Sequence, residues 1–295
     1  MREKSRFSLD IAPLDLDLTL GCGQTFRWER GVDGAWTGVL GDDIVRLDNR
    51  RGPLAAEARP GGHGVERRVE EYLRGRDDID TIQAALSEES VLSTGLDRFR
   101  GLRIVKIPPW ECIVSFVLAT NSNIKRITRM INSVAEGYGE EIAEGVYAFP
   151  SLESLRNATV DDLSKRGLGY RAAYLNALCQ SVDQGTVSRM ESMAREDLRN
   201  ELKSLPGIGD KVADCVSLFG FGHLESFPID VWVEKALGRL YGVTGSYSTL
   251  RKFAEERFGA FAGYAQEYLF LNERSITPDV RCAFSQEGQQ RHAFQ

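Results

Sequence analysis

"LPGIGDKVADCVSLFGFGHLESFPIDVWV", residues 205–233, puts a glycine-rich turn directly before a lysine, Lys211. Nineteen positions later Asp230 stands between Pro228-Ile229 and an apolar run. Pro206, Gly207 and Gly209 permit a tight turn between "LKSL" and "DKVADCVSLFG", so the stretch reads as helix, turn, helix. The second helix begins near Gly209 or Asp210, with Asp210 as its candidate cap. Amides exposed at such an N-terminus form an anion site that suits a DNA phosphate. An ordinary pair of antiparallel helices would explain a lone GxG turn, but not Lys211 and "PID" as well.

Outward from this hairpin, the 295 residues are 42% hydrophobic and 27% charged, the composition of a soluble globular chain with one large domain or two to three smaller ones. No apolar run reaches membrane-spanning length and no signal segment is seen, so a cytosolic protein with no membrane partner is expected. Cys22, Cys112, Cys179, Cys215 and Cys282 lie far apart with no CxxC pair. Zinc, an iron–sulfur cluster and a disulfide framework therefore have no support. The net charge of −6 removes any bulk basic signal for nucleic acid, which leaves a local basic face to do that work.

The N-terminal part reads as strands. Leu14 to Leu20 alternates apolar and polar, the period of a half-buried strand, and Gly21-Cys22-Gly23 ends it. "QTFRW" and "AWTGVLGDDIVRL" follow, the latter with a hairpin signal at Gly41-Asp42-Asp43. Val65, Val69, Tyr72 and Leu73 mark a helical face in 62–75. After Pro108-Pro109, helical periods are predicted over 110–136, 151–166, 171–184, 192–204, 210–219, 230–241, 247–257 and 259–273. The fold class is thus α+β: a small domain over 1–107, then a helical domain over 108–295. The tail from Pro278 is expected to be loosely ordered.

The string "LPGIGDKVADC" with its downstream "PID" resembles the helix–hairpin–helix and Gly/Pro–Asp signature of base-excision DNA glycosylases. With "GCGQTFRW", "NSNIKRI", "GLGYRA" and "GYAQEYLF" in order, most of the chain resembles the 8-oxoguanine DNA glycosylase family. The resemblance implies an antiparallel, TBP-like N-terminal domain. It also implies a catalytic domain of two helical parts, 122–194 and 108–121 plus 195–295. Lys211, in the first turn of a helix whose dipole and burial disfavour an ammonium, becomes the nucleophile at sugar C1′. The resulting Schiff base permits β-elimination 3′ to the lesion. Asp230, a helix cap on the plain reading, also faces the oxocarbenium-like charge at C1′. Cys215, one turn after Lys211, contacts the base or is simply a buried thiol. The carbonyls of Lys203, Leu205 and Ile208 match positions that hold a structural cation; no other cofactor is implied.

A glycosylase must flip its base into a pocket. The resemblance assigns the Watson–Crick edge to Gln266, stacking to Phe270 and the acceptor for the lesion's N7–H to the carbonyl of Gly23. Helix core for Phe270 and a strand-ending glycine for Gly23 are the plainer readings. Asn121 would fill the gap left by the flipped base, Tyr170 would wedge the neighbouring step, and Arg126 and Arg171 would meet the orphaned cytosine. Asn123 shares the "NSN" break, where asparagines also cap helices, and Gly207 and Gly209 form the phosphate turn. Trp232, Ser122, Glu273 and Phe219 depart from the family pattern. The partner expected is double-stranded DNA containing 8-oxoguanine, bound by a monomer in the cytoplasm, at the nucleoid of a prokaryote or in a eukaryotic nucleus. A glycosylase for alkylated purines would keep Asp230 without needing Lys211 or Gln266. A non-catalytic hairpin module would need neither Lys211 nor Asp230.

Overall fold

A computed structural model describes residues 4–276, so Cys282 and the tail from Pro278 lie outside the described residues. Five antiparallel strands open the chain: β1 (Ser5–Leu9), β2 (Trp28–Arg30), β3 (Trp36–Leu40), β4 (Asp43–Asp48) and β5 (Leu54–Arg59), in the order β1-β5-β4-β3-β2. The central strand β4 alternates as a one-faced strand should. Val45 pairs with Gly38 and Ala58, Leu47 pairs with Trp36 and Ala56, and both Val45 and Leu47 are fully buried. Gly41 turns β3 into β4 as its sequence predicts. Three helices follow the sheet: α2 (Val65–Tyr72), α3 (Ile79–Ser87) and α4 (Ser90–Arg98).

Residues 14–20 are not the strand that their alternation predicts. Leu16–Gly21 is a helix, α1 in chain order. Asp15 caps it by accepting the amide of Leu18 at 2.9 Å, and Leu16, Thr19 and Leu20 share its buried face. The cap and the i, i+3, i+4 face outweigh the twofold period. In β5, "LAAEAR" is built from helix-favouring residues, yet pairing with β1 and β4 holds it extended.

The helical part contains α5 (Pro109–Leu118), α6 (Ile124–Tyr138), α7 (Leu152–Arg156), α8 (Val160–Lys165), α9 (Arg171–Ser181), α10 (Gln184–Met190), α11 (Arg195–Ser204), α12 (Asp210–Phe219), α13 (Val231–Tyr241), α14 (Tyr247–Phe258) and α15 (Ala262–Ile276). A short ribbon, β6 (Glu141–Ala143) with β7 (Val146–Tyr147), follows α6. Helix α5 is buried on every side from Glu111 to Leu118 and packs on α6, α9 and α12. Burial of its Ile113, Val114, Val117 and Leu118 contributes about 2 kcal/mol each. Helix α15 packs on α13, α14 and α4, which fastens the N-terminal part to the helical part. No helix among the described residues is long and apolar enough to cross a membrane.

Candidate active site

Gly207, with φ +82°, turns α11 into α12, and a Cβ there would press on Tyr174 at 3.0 Å. The helix cap is Gly209, extended and exposed, rather than Asp210. Asp210 is the first helical residue, and its carboxylate is held by Arg199 at 2.6 Å and Lys203 at 2.5 Å. This pairing ties α12 to α11 and takes the side chain away from the amides that it would cap. Lys211 follows, half-buried, with Nζ 5.7 Å from the centre of the Phe116 ring.

Asp230 caps α13: its Oδ1 accepts the amides of Trp232 at 3.0 Å and Val233 at 2.9 Å. Its Oδ2 takes no hydrogen bond among the described residues. Tyr247 fixes the aspartate's loop to the lysine's helix. Its hydroxyl donates to Asp214 on α12 at 2.7 Å and accepts the amide of Ile229 at 3.2 Å. Asp214 is itself anchored by Arg199 at 2.9 Å.

Lys211 and Asp230 share a cavity of about 90 Å³ with Gly23, Cys215, Gln266 and Phe270, so all six residues predicted for catalysis and the base pocket line one space. Gly23 takes φ +109°, and a Cβ would fall 2.7 Å from Ile124 Cδ1, so only glycine fits. It follows a helix rather than ending a strand. The next residue, Gln24, pins its loop: Nε2 donates to the carbonyls of Thr19 and Arg103 at 2.7 and 2.8 Å, and Oε1 accepts the amide of Val105 at 3.0 Å. Gln266 and Phe270 reach the cavity from α15. The Gln266 side chain is buried, and its Oε1 has no partner among the described residues, an arrangement that costs free energy until a donor arrives. The Cys215 thiol is pushed up to about 12 by burial, against the pull of Lys211, so it lines the cavity as a neutral thiol.

A second cluster surrounds the break between α5 and α6. Asn121 takes φ +47°, a strained conformation that asparagine tolerates better than most residues. Asn123 caps α6 by accepting the Arg126 amide at 3.0 Å. The Tyr170 hydroxyl donates to Thr120 O at 3.2 Å and accepts from Asn121 Nδ2 at 3.5 Å, while its ring stays half exposed. Arg171 differs from a side chain held out towards DNA. It is buried, its Nε and Nη2 donate to Thr120 O, Nη2 also donates to Asn121 O at 3.0 Å, and its guanidinium lies 4.4 Å from the Tyr170 ring centre. Arg126 is exposed near Gly169. Around the hairpin, Leu205 O accepts the Ile208 amide at 3.3 Å.

Residues 6–113 match the 8-oxoguanine DNA glycosylase N-terminal domain, and residues 114–259 match the HhH-GPD superfamily of base excision DNA repair proteins. The chain is 30% identical to the N-glycosylase/DNA lyase OGG1 of Arabidopsis thaliana over 92% of its own length and 81% of that protein. The chain belongs to the 8-oxoguanine DNA glycosylase family. It also resembles the 8-oxoguanine glycosylase/lyase of Clostridium acetobutylicum in complex with double-stranded DNA that holds cytosine opposite 8-oxoguanine. That likeness has a TM-score of 0.83 and 30% identity, and covers 89% of this chain and 92% of that one. Against the structure of MBOgg1 with a low-affinity DNA ligand, the TM-score is 0.85 at 29% identity, over 92% and 96% of the two chains.

Within this member of the family, three site features were not singled out by the sequence. Tyr247 sits in a helix of mixed polarity with no motif around it. Gln24 is legible only as part of "GCGQTFRW". Glu267 lines the cavity beside Gln266 and was hidden because a glutamate in a helix is ordinarily solvated. Of the departures from the family pattern, Phe219 lines the cavity and stacks on Phe116 at 5.5 Å. Glu273 instead pairs with Arg239 at 2.8 Å.

Proposed function

We propose the following division of labour for the bifunctional 8-oxoguanine glycosylase and abasic-site lyase reaction of this chain. Lys211, as a neutral amine, attacks C1′ of the flipped nucleotide. The glycosidic bond breaks and its electron pair leaves on the base. Opening of the sugar gives an iminium, loss of a C2′ proton follows, and the 3′ phosphate departs. Asp230, with Oδ1 held by two amides, presents carboxylate charge to the cationic sugar. Gln266 Oε1 accepts from the N1–H and N2–H donors of the purine edge, Phe270 stacks on the ring, Cys215 packs against it and the Gly23 carbonyl accepts the lesion's N7–H. The observation that carries the reading is the buried Gln266 Oε1, without a partner among the described residues, in the same cavity as Lys211 and Asp230. A duplex labelled on one strand and holding a single 8-oxoguanine tests it: nicking without heat or alkali is expected, and an intact strand would overturn it.

On the DNA side, the amides at Gly207 and Gly209 take a phosphate. Asn121 fills the vacated stack, next to its helix cap Asn123, and Tyr170 wedges the adjoining step. Arg126 and Arg171 read the partner base. Arg171 is preorganised for this: Nε and Nη2 are pinned to carbonyls, and Nη1 carries no protein hydrogen bond among the described residues. The carbonyls of Lys203, Leu205 and Ile208 are hard oxygen donors that suit an alkali or alkaline-earth cation at the turn. The chain divides into 1–107 and 108–295, with helical parts 122–194 and 108–121 plus 195–295; α5 bridges the two helical parts, packing on α12 of one and on α6 and α9 of the other. The protein works as a monomer on chromosomal DNA, at the nucleoid of a prokaryote or in a eukaryotic nucleus.

A further inference from the structure

Glu267 is the charged residue of the cavity that the scheme above does not use. It is almost wholly buried on α15 and lines the space that holds Lys211 and Asp230. No cation pairs with it among the described residues. Its one hydrogen-bond partner among those residues is the Cys22 thiol, 3.7 Å from Oε2, and that thiol also lies 3.8 Å from Thr19 O. A carboxyl so poorly compensated is costly in a fold unless it serves another purpose.

We propose that Glu267 is the proton acceptor for Lys211 and the proton donor to the departing base, a role that rests on the reading of Lys211 as the nucleophile. The Lys211 ammonium passes one proton to the Glu267 carboxylate, which leaves a neutral amine and a carboxylic acid. The amine's lone pair forms the bond to C1′ while the bond from C1′ to the base nitrogen breaks and its electron pair goes to the base. The base anion takes the proton held by Glu267. A neutral base departs, and a carboxylate is regenerated beside the new secondary ammonium. Asp230 is left to its charge role in this scheme: Oδ1 holds two backbone amides, and the carboxylate faces the cationic sugar without taking part in the shuttle.

The surroundings give Glu267 the proton affinity that such work needs. Burial, and next the Asp230 carboxylate, push it up to about 7, against the pull of Cys22, Arg274 and Lys211. The groups that face it are Asp230 at the start of α13, Lys211 and Cys215 on α12, Arg274 on its own helix and Cys22 after α1. A group that must first accept a proton works in its ionised form, so excision should quicken as pH rises through about 7.

The test compares wild type, Glu267→Gln, Glu267→Asp and Lys211→Gln in single-turnover excision of 8-oxoguanine across pH, with borohydride trapping alongside. Glu267→Gln is expected to slow excision about 100-fold, the low end of acid–base contributions, and to lose the rise near neutrality. Glu267→Asp should recover part of both. Trapping should still reach the wild-type end point in Glu267→Gln, only more slowly. A Glu267→Gln enzyme that keeps the wild-type rate, or that slows yet keeps the rise, would overturn the proposal. If Glu267→Gln fails to fold, a wild-type profile flat across pH 7 overturns it equally. Loss of trapping in the wild type, or trapping that survives in Lys211→Gln, would instead overturn the nucleophile on which the proposal rests.

Discussion

At the scale of single residues, Lys211 and Asp230 stand out in the sequence only together with the glycine turn and "PID", since a lysine or a helix-capping aspartate alone has a plainer reading. Asp230 caps α13 and also lines the cavity, so the cap does not stand in the way of the charge role proposed for it. Asp230→Asn keeps an acceptor for the two amides and removes the charge. It is expected to leave thermal stability nearly unchanged and to slow base release by about 100-fold or more, roughly 3 kcal/mol of lost transition-state stabilisation. A single-turnover rate near wild type in the folded variant would remove Asp230 from the charge role. Gln266→Ala and Phe270→Ala should depress excision of 8-oxoguanine more than cleavage at a preformed abasic site, which has no base to read. Equal losses on the two substrates would mark both side chains as structural.

At the scale of elements, the helical hairpin and most later helices could be read from period and punctuation, while several N-terminal elements could not. Asp15 and the Leu16–Thr19–Leu20 face turned an alternating stretch into α1, and the alanine-rich β5 is extended only because two neighbouring strands hydrogen-bond to it. Neither outcome is written in local pattern, because the deciding contacts are a cap in one case and a sheet in the other. The break between α5 and α6 was visible as "NSN", but the carbonyl anchoring of Arg171 was not, since Thr120 and Asn121 meet it across some fifty residues of chain. That anchoring makes the two arginines separable. Excision opposite cytosine should exceed excision opposite adenine by at least about tenfold, the scale of one discriminating contact. Arg126→Ala should flatten this preference with little effect on stability. Arg171→Ala should flatten it and also destabilise by about 1.5–3 kcal/mol, through loss of charged hydrogen bonds to two carbonyls. Equal wild-type rates opposite all four bases, measured with duplexes that differ only at the partner, would refute the partner-reading role.

At the scale of the whole molecule, the acidic net charge is a poor guide to a DNA-binding enzyme, because the site depends on local placement rather than bulk charge. The pocket draws on the loop after α1, the hairpin, the start of α13 and α15, so catalysis and stability are coupled through buried groups. Glu111 and Glu267 are both raised to about 7, chiefly by burial. The unfolded chain releases these protons near the ordinary glutamate value, so the folded state binds more protons between about 4.5 and 7. Stability is therefore expected to fall as pH rises across that window, and Glu267→Gln should melt higher than wild type above pH 7; thermal melts that show no gain there would contradict the assignment of a buried, proton-binding carboxyl. On the proposed division of labour one amine, Lys211, both displaces 8-oxoguanine and holds the sugar. Its most direct test is borohydride reduction during turnover on a duplex holding 8-oxoguanine opposite cytosine, with Lys211→Gln in parallel. A covalent protein–DNA adduct on Lys211 is expected in the wild type and none in the variant, which should still bind the duplex; undiminished trapping in Lys211→Gln would show that another group holds the sugar.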